Sequence, residues 1–93
     1  MKIHQEPKYC VGLDGALVNR QSGESIPDDE PIFILRGRDK YAADVLVYYE
    51  QMVADQNHAK AVSIRRKQFE RFAKENPTRM KEPDTTLTDD WNP

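Results

Sequence analysis

The chain has 93 residues, of which 38% are hydrophobic and 32% are charged, and its net charge is −2. A chain of this length forms one small domain with a modest core, which excludes an enzyme that needs a separate substrate lobe. No apolar run approaches the roughly 18 residues of a membrane span and no basic-then-apolar leader opens the chain, so we expect a cytoplasmic protein without a membrane partner.

Charge is segregated along the chain. Residues 1–35 carry three cations and six acids, residues 36–81 carry eleven cations and six acids, and residues 82–93 carry four acids and no cation. The basic middle segment predicts either an anion-binding face or a helical pair whose charge is partly compensated by the acidic flanks. The sequence leaves both interpretations open.

The first third of the chain has the pattern of a small antiparallel sheet. Short β-type runs over 8–13 and 16–19 flank Asp14-Gly15, which predicts a two-residue type I′ turn with positive φ at both central positions. Residues 32–35 are apolar without alternation, which is typical of a strand covered on both faces. We therefore expect about three strands, with 32–35 in a central position.

Two helical patterns follow the sheet. Asp39 is a predicted N-cap, and the second pattern ends before Asn76-Pro77, because proline disfavours a helical residue before it. We favour a helical hairpin, since a single long helix would leave the sheet uncovered. One continuous helix over 39–76 remains the alternative. The fold class is thus α+β, with a single domain over 1–79 and an extended or disordered acidic tail over 80–93 that Leu87 and Trp91 could anchor.

The first helix has an unusually wide apolar stripe. Its residues recur at helical spacing, and adjacent residues on a helix point about 100° apart, so the stripe is too wide for one partner. It comprises Tyr41, Ala42, Val45, Leu46, Tyr48, Tyr49, Met52 and Val53. A small fold also gains stability from association. We therefore expect a homo-oligomer with this helix in the interface.

The motif E-P-I-F-I-L-R-G-R-D-K, residues 30–40, is preceded by S-G-E-S-I-P and followed by two helical patterns and M-K-x-P-D. In this arrangement the chain resembles a group of short, mostly uncharacterised proteins of tailed phages and prophages that carry E-P-[IV]-F-[IV]-L-R-x-x-D. The resemblance covers residues 10–84 and implies a phage accessory protein made in a bacterial cytoplasm. It carries over no catalytic residue. Accessory proteins of this size often inhibit host defence or host enzymes.

The sequence contains no recognisable catalytic or metal-binding pattern. His4, Cys10 and His58 fit no ligand spacing, and Cys10 lies in an apolar strand pattern typical of an inert core thiol. The acids of 28–30 lie between prolines, which is typical of a solvated loop, and the glycines form no phosphate-binding motif. We expect neither an enzyme nor a cofactor.

Cations at the junction before the first helix form the best candidate binding site. Arg36, Arg38 and Lys40 flank a predicted helix start, where backbone N–H groups favour anions. The alternative is structural: the same cations pair with Asp39, with Asp44 or with the acids of 28–30. The complete predicted ligand-binding set is Arg36, Arg38, Lys40, Tyr41, Tyr48 and Arg65, with a tyrosine stacking on a base.

Three functions follow, in order of preference. The first is an anti-defence protein that sequesters a phosphorylated small molecule, such as a nucleotide immune signal, in a basic pocket shared between protomers. The second is a protein-binding inhibitor of a host factor that uses the acidic tail and Trp91. The third is a nucleic-acid-binding regulator, which is disfavoured because acids interrupt the basic helix and the protein as a whole is acidic.

Overall fold

The computed structural model describes residues 1–85, which divide into two units, Met1–Ile32 and residues 33–85. Each unit has its own secondary structure: a two-stranded sheet in the first and two helices in the second. The α+β class is confirmed in this coarse form, whereas the single domain over 1–79 stays a prediction. Within the described residues no helix is both long and apolar enough to cross a membrane.

The first unit is built on an antiparallel strand pair. Strand β1 covers Tyr9–Val11 and strand β2 covers Leu17–Asn19, with Cys10 opposite Val18 in the register. The strands are only three residues long, because the chain leaves the ladder at the turn on one side and at Asn19 on the other. The predicted hairpin is thus confirmed, with shorter strands than the sequence suggested.

The turn between the strands differs from the predicted type I′ turn. The N–H of Gly12 donates to the Ala16 carbonyl at 2.8 Å, so three residues form the loop, and Gly15 N–H donates to the Gly12 carbonyl at 3.0 Å. Gly15 has φ of +86°, and within residues 1–85 no residue other than glycine has positive φ. This is the three-residue arrangement in which only the last loop position is left-handed. Asp14 instead accepts the Ala16 N–H on its carboxylate at 3.0 Å.

The predicted third strand over 32–35 is wrong. In the described part of the chain these residues have no strand partner, and Phe33 and Ile34 are 87% and 75% exposed. A residue before this segment pairs with the sheet instead: Ser25 forms an isolated antiparallel bridge with Val18. Apolar composition without alternation fits a covered strand, but a strand also needs a free backbone edge beside it, which the apolar pattern does not reveal.

The second unit contains two helices that pack on one another. Helix α1 covers Ala42–Met52 and helix α2 covers Gln56–Glu75, and three residues connect them. The continuous helix is therefore excluded. The break occurs because Val53 is extended and Asp55 is the N-cap of α2, where its carboxylate accepts the His58 N–H at 2.9 Å. The end of α2 before Pro77 is confirmed.

Contact between the helices buries very little side chain. Among the described residues only Ala42 and Val62 are buried. Polar contacts supplement this packing: Arg66 Nε donates to Glu50 at 3.2 Å, and Tyr49 hydroxyl and His58 Nε2 form a hydrogen bond at 3.3 Å. Arg66 also forms an ion pair with Glu70 on the same helix, α2.

The wide apolar stripe of α1 divides into a covered and an uncovered edge. On the covered edge Ala42 is buried and Leu46 and Val53 are partly buried, while Tyr49 is 48% exposed. The other edge recurs every three or four residues along the helix and is exposed, reaching 69% for Tyr48 and 70% for Met52. We call this edge the exposed stripe; it comprises Tyr41, Val45, Tyr48 and Met52.

Substitution of Gly15 tests the turn. A Cβ at this position would meet no atom within 4 Å, so any penalty comes from the left-handed backbone alone. We expect Gly15→Val to lower the free energy of unfolding of the sheet by about 1–2 kcal/mol, because a β-branched residue resists positive φ. Urea denaturation followed at the amide resonances of β1 and β2 measures the change.

Gly15→Asn is the matched control, since asparagine adopts this backbone region more readily. We expect it to retain most of the stability that Gly15→Val loses. Equal unfolding midpoints for the two variants would contradict a left-handed residue at the turn.

Candidate functional site

The segment before α1 is held by its own backbone and by α2. Gly37 lies beside Phe72 of α2, since a Cβ added at this glycine would be 3.4 Å from the ring, an ordinary van der Waals distance. Asp39 accepts the Tyr41 N–H on its carboxylate at 2.8 Å and the Ala42 N–H on its carbonyl at 3.1 Å. Asp39 is therefore a turn residue two positions before the N-cap, which is Tyr41, and its predicted role as N-cap is wrong.

The chain after α2 returns to this segment. Asn76 ends the helix, and a short 3-10 helix, Pro77–Arg79, follows. Two backbone hydrogen bonds then pair the chain beside the junction: Lys81 N–H donates to the Arg38 carbonyl at 2.9 Å, and Lys40 N–H donates to the Lys81 carbonyl at 3.1 Å. The first residues of the predicted tail are thus fixed against the predicted site.

Side chains from the two segments meet in a cluster that we call the clasp. Lys40 Nζ lies 2.8 Å from a Glu82 carboxylate oxygen, and the Tyr41 hydroxyl donates to the same carboxylate at 2.6 Å. Arg38 and Lys81 hold the Asp84 carboxylate at 2.8 Å and 3.0 Å. The clasp therefore consists of Arg38, Lys40, Tyr41, Lys81, Glu82 and Asp84.

The clasp is electrostatically coupled although it lies at the surface. The hydrogen bond from Lys40, and after it that from Tyr41, lowers the pKa of Glu82. Lys81, with a smaller contribution from Arg38, lowers the pKa of Asp84. In return the hydrogen bond with Glu82 raises the pKa of both Lys40 and Tyr41. Each group is thereby held in the ionisation state that maintains the contact, with the tyrosine hydroxyl as a neutral donor.

The structure brings together three of the predicted site residues, Arg38, Lys40 and Tyr41. Arg36 is exposed and has no ion-pair partner within residues 1–85. Tyr48 lies two turns after Tyr41 on the exposed stripe. Arg65 lies on α2, where it donates to Gln68 at 3.2 Å. Three of the six predicted residues thus form one cluster, whereas Arg36, Tyr48 and Arg65 lie outside it.

Sequence reasoning missed the acidic partners of the junction. The structural alternative pairs the cations with Asp39, with Asp44 or with the acids of 28–30, but the carboxylates that meet Arg38 and Lys40 belong to Asp84 and Glu82. The signal was present in the charge distribution, because the basic segment 36–81 is followed directly by a stretch with acids and no cation. Leu87 and Trp91, the predicted anchors of the tail, lie outside the described residues.

Chemically, the clasp is an array of donors for anions. Glu82 receives one charged donor and the Tyr41 hydroxyl, and Asp84 receives two charged donors, which is an arrangement that also satisfies phosphate oxygens. No group of three or more histidine, cysteine or acidic side chains capable of holding a metal occurs within residues 1–85. Cys10 is a free, half-buried thiol on β1.

The sequence matches no protein-family model and no curated protein, and the fold matches no solved structure. Function is therefore inferred from the side chains of the clasp and from the exposed stripe.

The stabilising contribution of the clasp should be lost at low pH and also at high pH. The pKa of Glu82 is lowered from 4.5, so its stabilising contribution is complete above that value and is lost as the pH falls through the lower pKa of the folded protein. The pKa of Tyr41 is raised from 10.0, so its contribution is complete below that value and is lost as the pH rises through the higher folded pKa. Titration of the Tyr41 ring resonances by NMR follows both limits.

Glu82→Gln provides the control for this titration. Without the carboxylate we expect the pKa of Tyr41 to return toward 10.0. An unchanged tyrosine titration in the variant would show that Glu82 does not hold this hydroxyl in solution.

Proposed function

We propose that this protein is a non-enzymatic phage accessory protein that acts against host defence by binding and sequestering a phosphorylated small molecule, with a nucleotide immune signal as the preferred ligand. Binding takes place at the clasp, in a homo-oligomer in the bacterial cytoplasm. The phage assignment rests on the resemblance around residues 30–40. The anion-binding assignment rests on the chemistry of the clasp.

The observation that carries the proposal is the convergence of four donors on two carboxylates. Arg38, Lys40, Lys81 and the Tyr41 hydroxyl approach these oxygens at 2.6–3.0 Å. A phosphate makes the same demands as a carboxylate, namely charged donors at hydrogen-bond distance in a fixed arrangement. A guanidinium adds a two-point contact, and the exposed Tyr41 ring offers a surface on which a base can stack.

Arg36 adds a further cation to the segment that carries Arg38. It lies two residues before Arg38 and is exposed, so its guanidinium is accessible to a ligand that reaches beyond the four donors. Tyr48 provides a second exposed ring two turns further along α1, and Arg65 belongs to the basic surface of α2. In the proposal these three residues act in a pocket that a neighbouring protomer completes.

The exposed stripe supports the homo-oligomer. Aromatic and aliphatic side chains at Tyr41, Val45, Tyr48 and Met52 form a continuous row, and rows of this kind are favoured in interfaces.

We expect light scattering at micromolar concentration to give a dimer or a higher closed oligomer. We expect Tyr48→Glu to give the monomer, because a buried unpaired charge is costly.

The control for this substitution is Gln51→Glu, which adds the same charge at an exposed position of α1 outside the stripe. It should leave the mass unchanged. A monomeric parent protein would remove the basis for a shared pocket. It would favour the second candidate, a protein-binding inhibitor of a host factor, for which the exposed stripe would be the contact surface.

Ligand binding is tested by thermal shift with a panel of nucleotides. At a ligand concentration about 100 times Kd, binding to the folded state alone stabilises by about 2.7 kcal/mol, which raises Tm by about 10–20 °C in a domain of this size. We expect this rise in the parent protein and its absence in Arg38→Gln/Lys40→Gln.

Lys67→Gln/Arg71→Gln is the matched control, because it removes two exposed cations from α2 and leaves the clasp intact. It should respond to the nucleotide as the parent does. Loss of the response in both variants, with binding that falls steeply with salt, would instead indicate a nucleic-acid-type interaction along the basic helix.

A further inference from the structure

Glu82 and Asp84 fill two separate anion positions in the clasp. The first position is formed by Lys40 and the Tyr41 hydroxyl, and the second by Arg38 and Lys81. The two carboxylates come from residues two apart on one segment, so they enter the clasp together. Two positions with two donors each are what a ligand with two anionic groups requires.

These carboxylates are held in a way that permits exchange. The side chains of Glu82 and Asp84 are 61% and 71% exposed, so their ion pairs are screened by water and salt. The segment itself is kept in place by the backbone pairing of Lys81 with Arg38 and Lys40, which does not involve either carboxylate. The carboxylates can therefore leave their positions while the cations stay in place.

We propose that Glu82 and Asp84 are internal competitors for the anion site, and that the ligand is a compound with at least two phosphate groups that displaces both carboxylates at once. The inference rests on the proposed anion-binding function and adds to it a ligand class and a built-in limit on affinity. A single phosphate displaces one carboxylate and leaves the other in place. A polyphosphate replaces both and brings more negative charge to the same four donors.

Competition of this kind lowers the apparent affinity by the fraction of molecules in which the clasp is open. If the carboxylates occupy their positions nine-tenths of the time, removing them strengthens binding about ten-fold. The effect is specific to these two residues, because within residues 33–85 only Glu82 and Asp84 pair with the side-chain donors of the clasp.

The test is isothermal titration calorimetry on the full chain with sodium tripolyphosphate and, in parallel, sodium orthophosphate. The variant Glu82→Gln/Asp84→Asn removes the two competitors. The control Asp44→Asn/Glu75→Gln removes two exposed carboxylates of the same unit, which equalises the change in net charge. Circular dichroism verifies that each variant retains its helices.

We expect Glu82→Gln/Asp84→Asn to bind tripolyphosphate at least about ten-fold more tightly than the parent, and the control to stay within about two-fold of it. Orthophosphate should bind both proteins more weakly than tripolyphosphate does. Equal affinities for the two salts would refute a ligand with two anionic groups.

Each remaining outcome separates this inference from the proposed function. If tripolyphosphate binds the parent and Glu82→Gln/Asp84→Asn equally well, anion binding stands and competition is refuted. A gain of the same size in the control would assign the effect to net charge and also refute it. Weaker binding in Glu82→Gln/Asp84→Asn would make the carboxylates part of the site. If neither tripolyphosphate nor any nucleotide binds either protein, the proposed function fails and the inference fails with it.

Discussion

The packing of α1 on α2 is the contact on which the second unit depends. Among residues 1–85 only Ala42 on α1 and Val62 on α2 are buried, so the apolar core is small, and the link between Glu50 and Arg66 joins the two helices in addition. Ala42 is also the first residue of α1, directly after Lys40 and Tyr41. The buried start of α1 therefore also determines where the clasp donors lie, because a shift of this start would move Lys40 and Tyr41 away from the returning chain.

Because the core is so small, apolar side chains remain exposed elsewhere on the surface. Apolar side chains that find no cover within their own unit remain in contact with water, as Phe33, Ile34 and the exposed stripe of α1 do. Folding of a small domain is stabilised mainly by the apolar area that it removes from water. A partner that covers Tyr48 and Met52 would supply part of the burial that the chain does not supply alone, which links assembly to stability in the proposed homo-oligomer.

Much of the helical unit could be predicted from the sequence, and less of the sheet and the clasp. Helical periodicity and Pro77 indicated both helices, because these signals are local. Residues 32–35 were mistaken for a strand, since composition indicates a preference for strand but not the presence of a neighbouring backbone. The clasp joins Arg38 to Asp84 across 46 positions, and no periodic pattern encodes a pairing between an extended segment and a turn. Only the distribution of charge pointed to it.

The return of the chain from α2 to the junction brings the two ends of the helical unit together. Residues 38–40 and Lys81 are hydrogen-bonded neighbours, so the segments that flank the two helices meet at this point. Units with adjacent ends tolerate circular permutation and insertion into the loops of other proteins. The two helices with their flanking segments thus have the connectivity of a transferable module: a new sequence joined at these segments would emerge beside the clasp, where its own charges would act directly on the clasp residues.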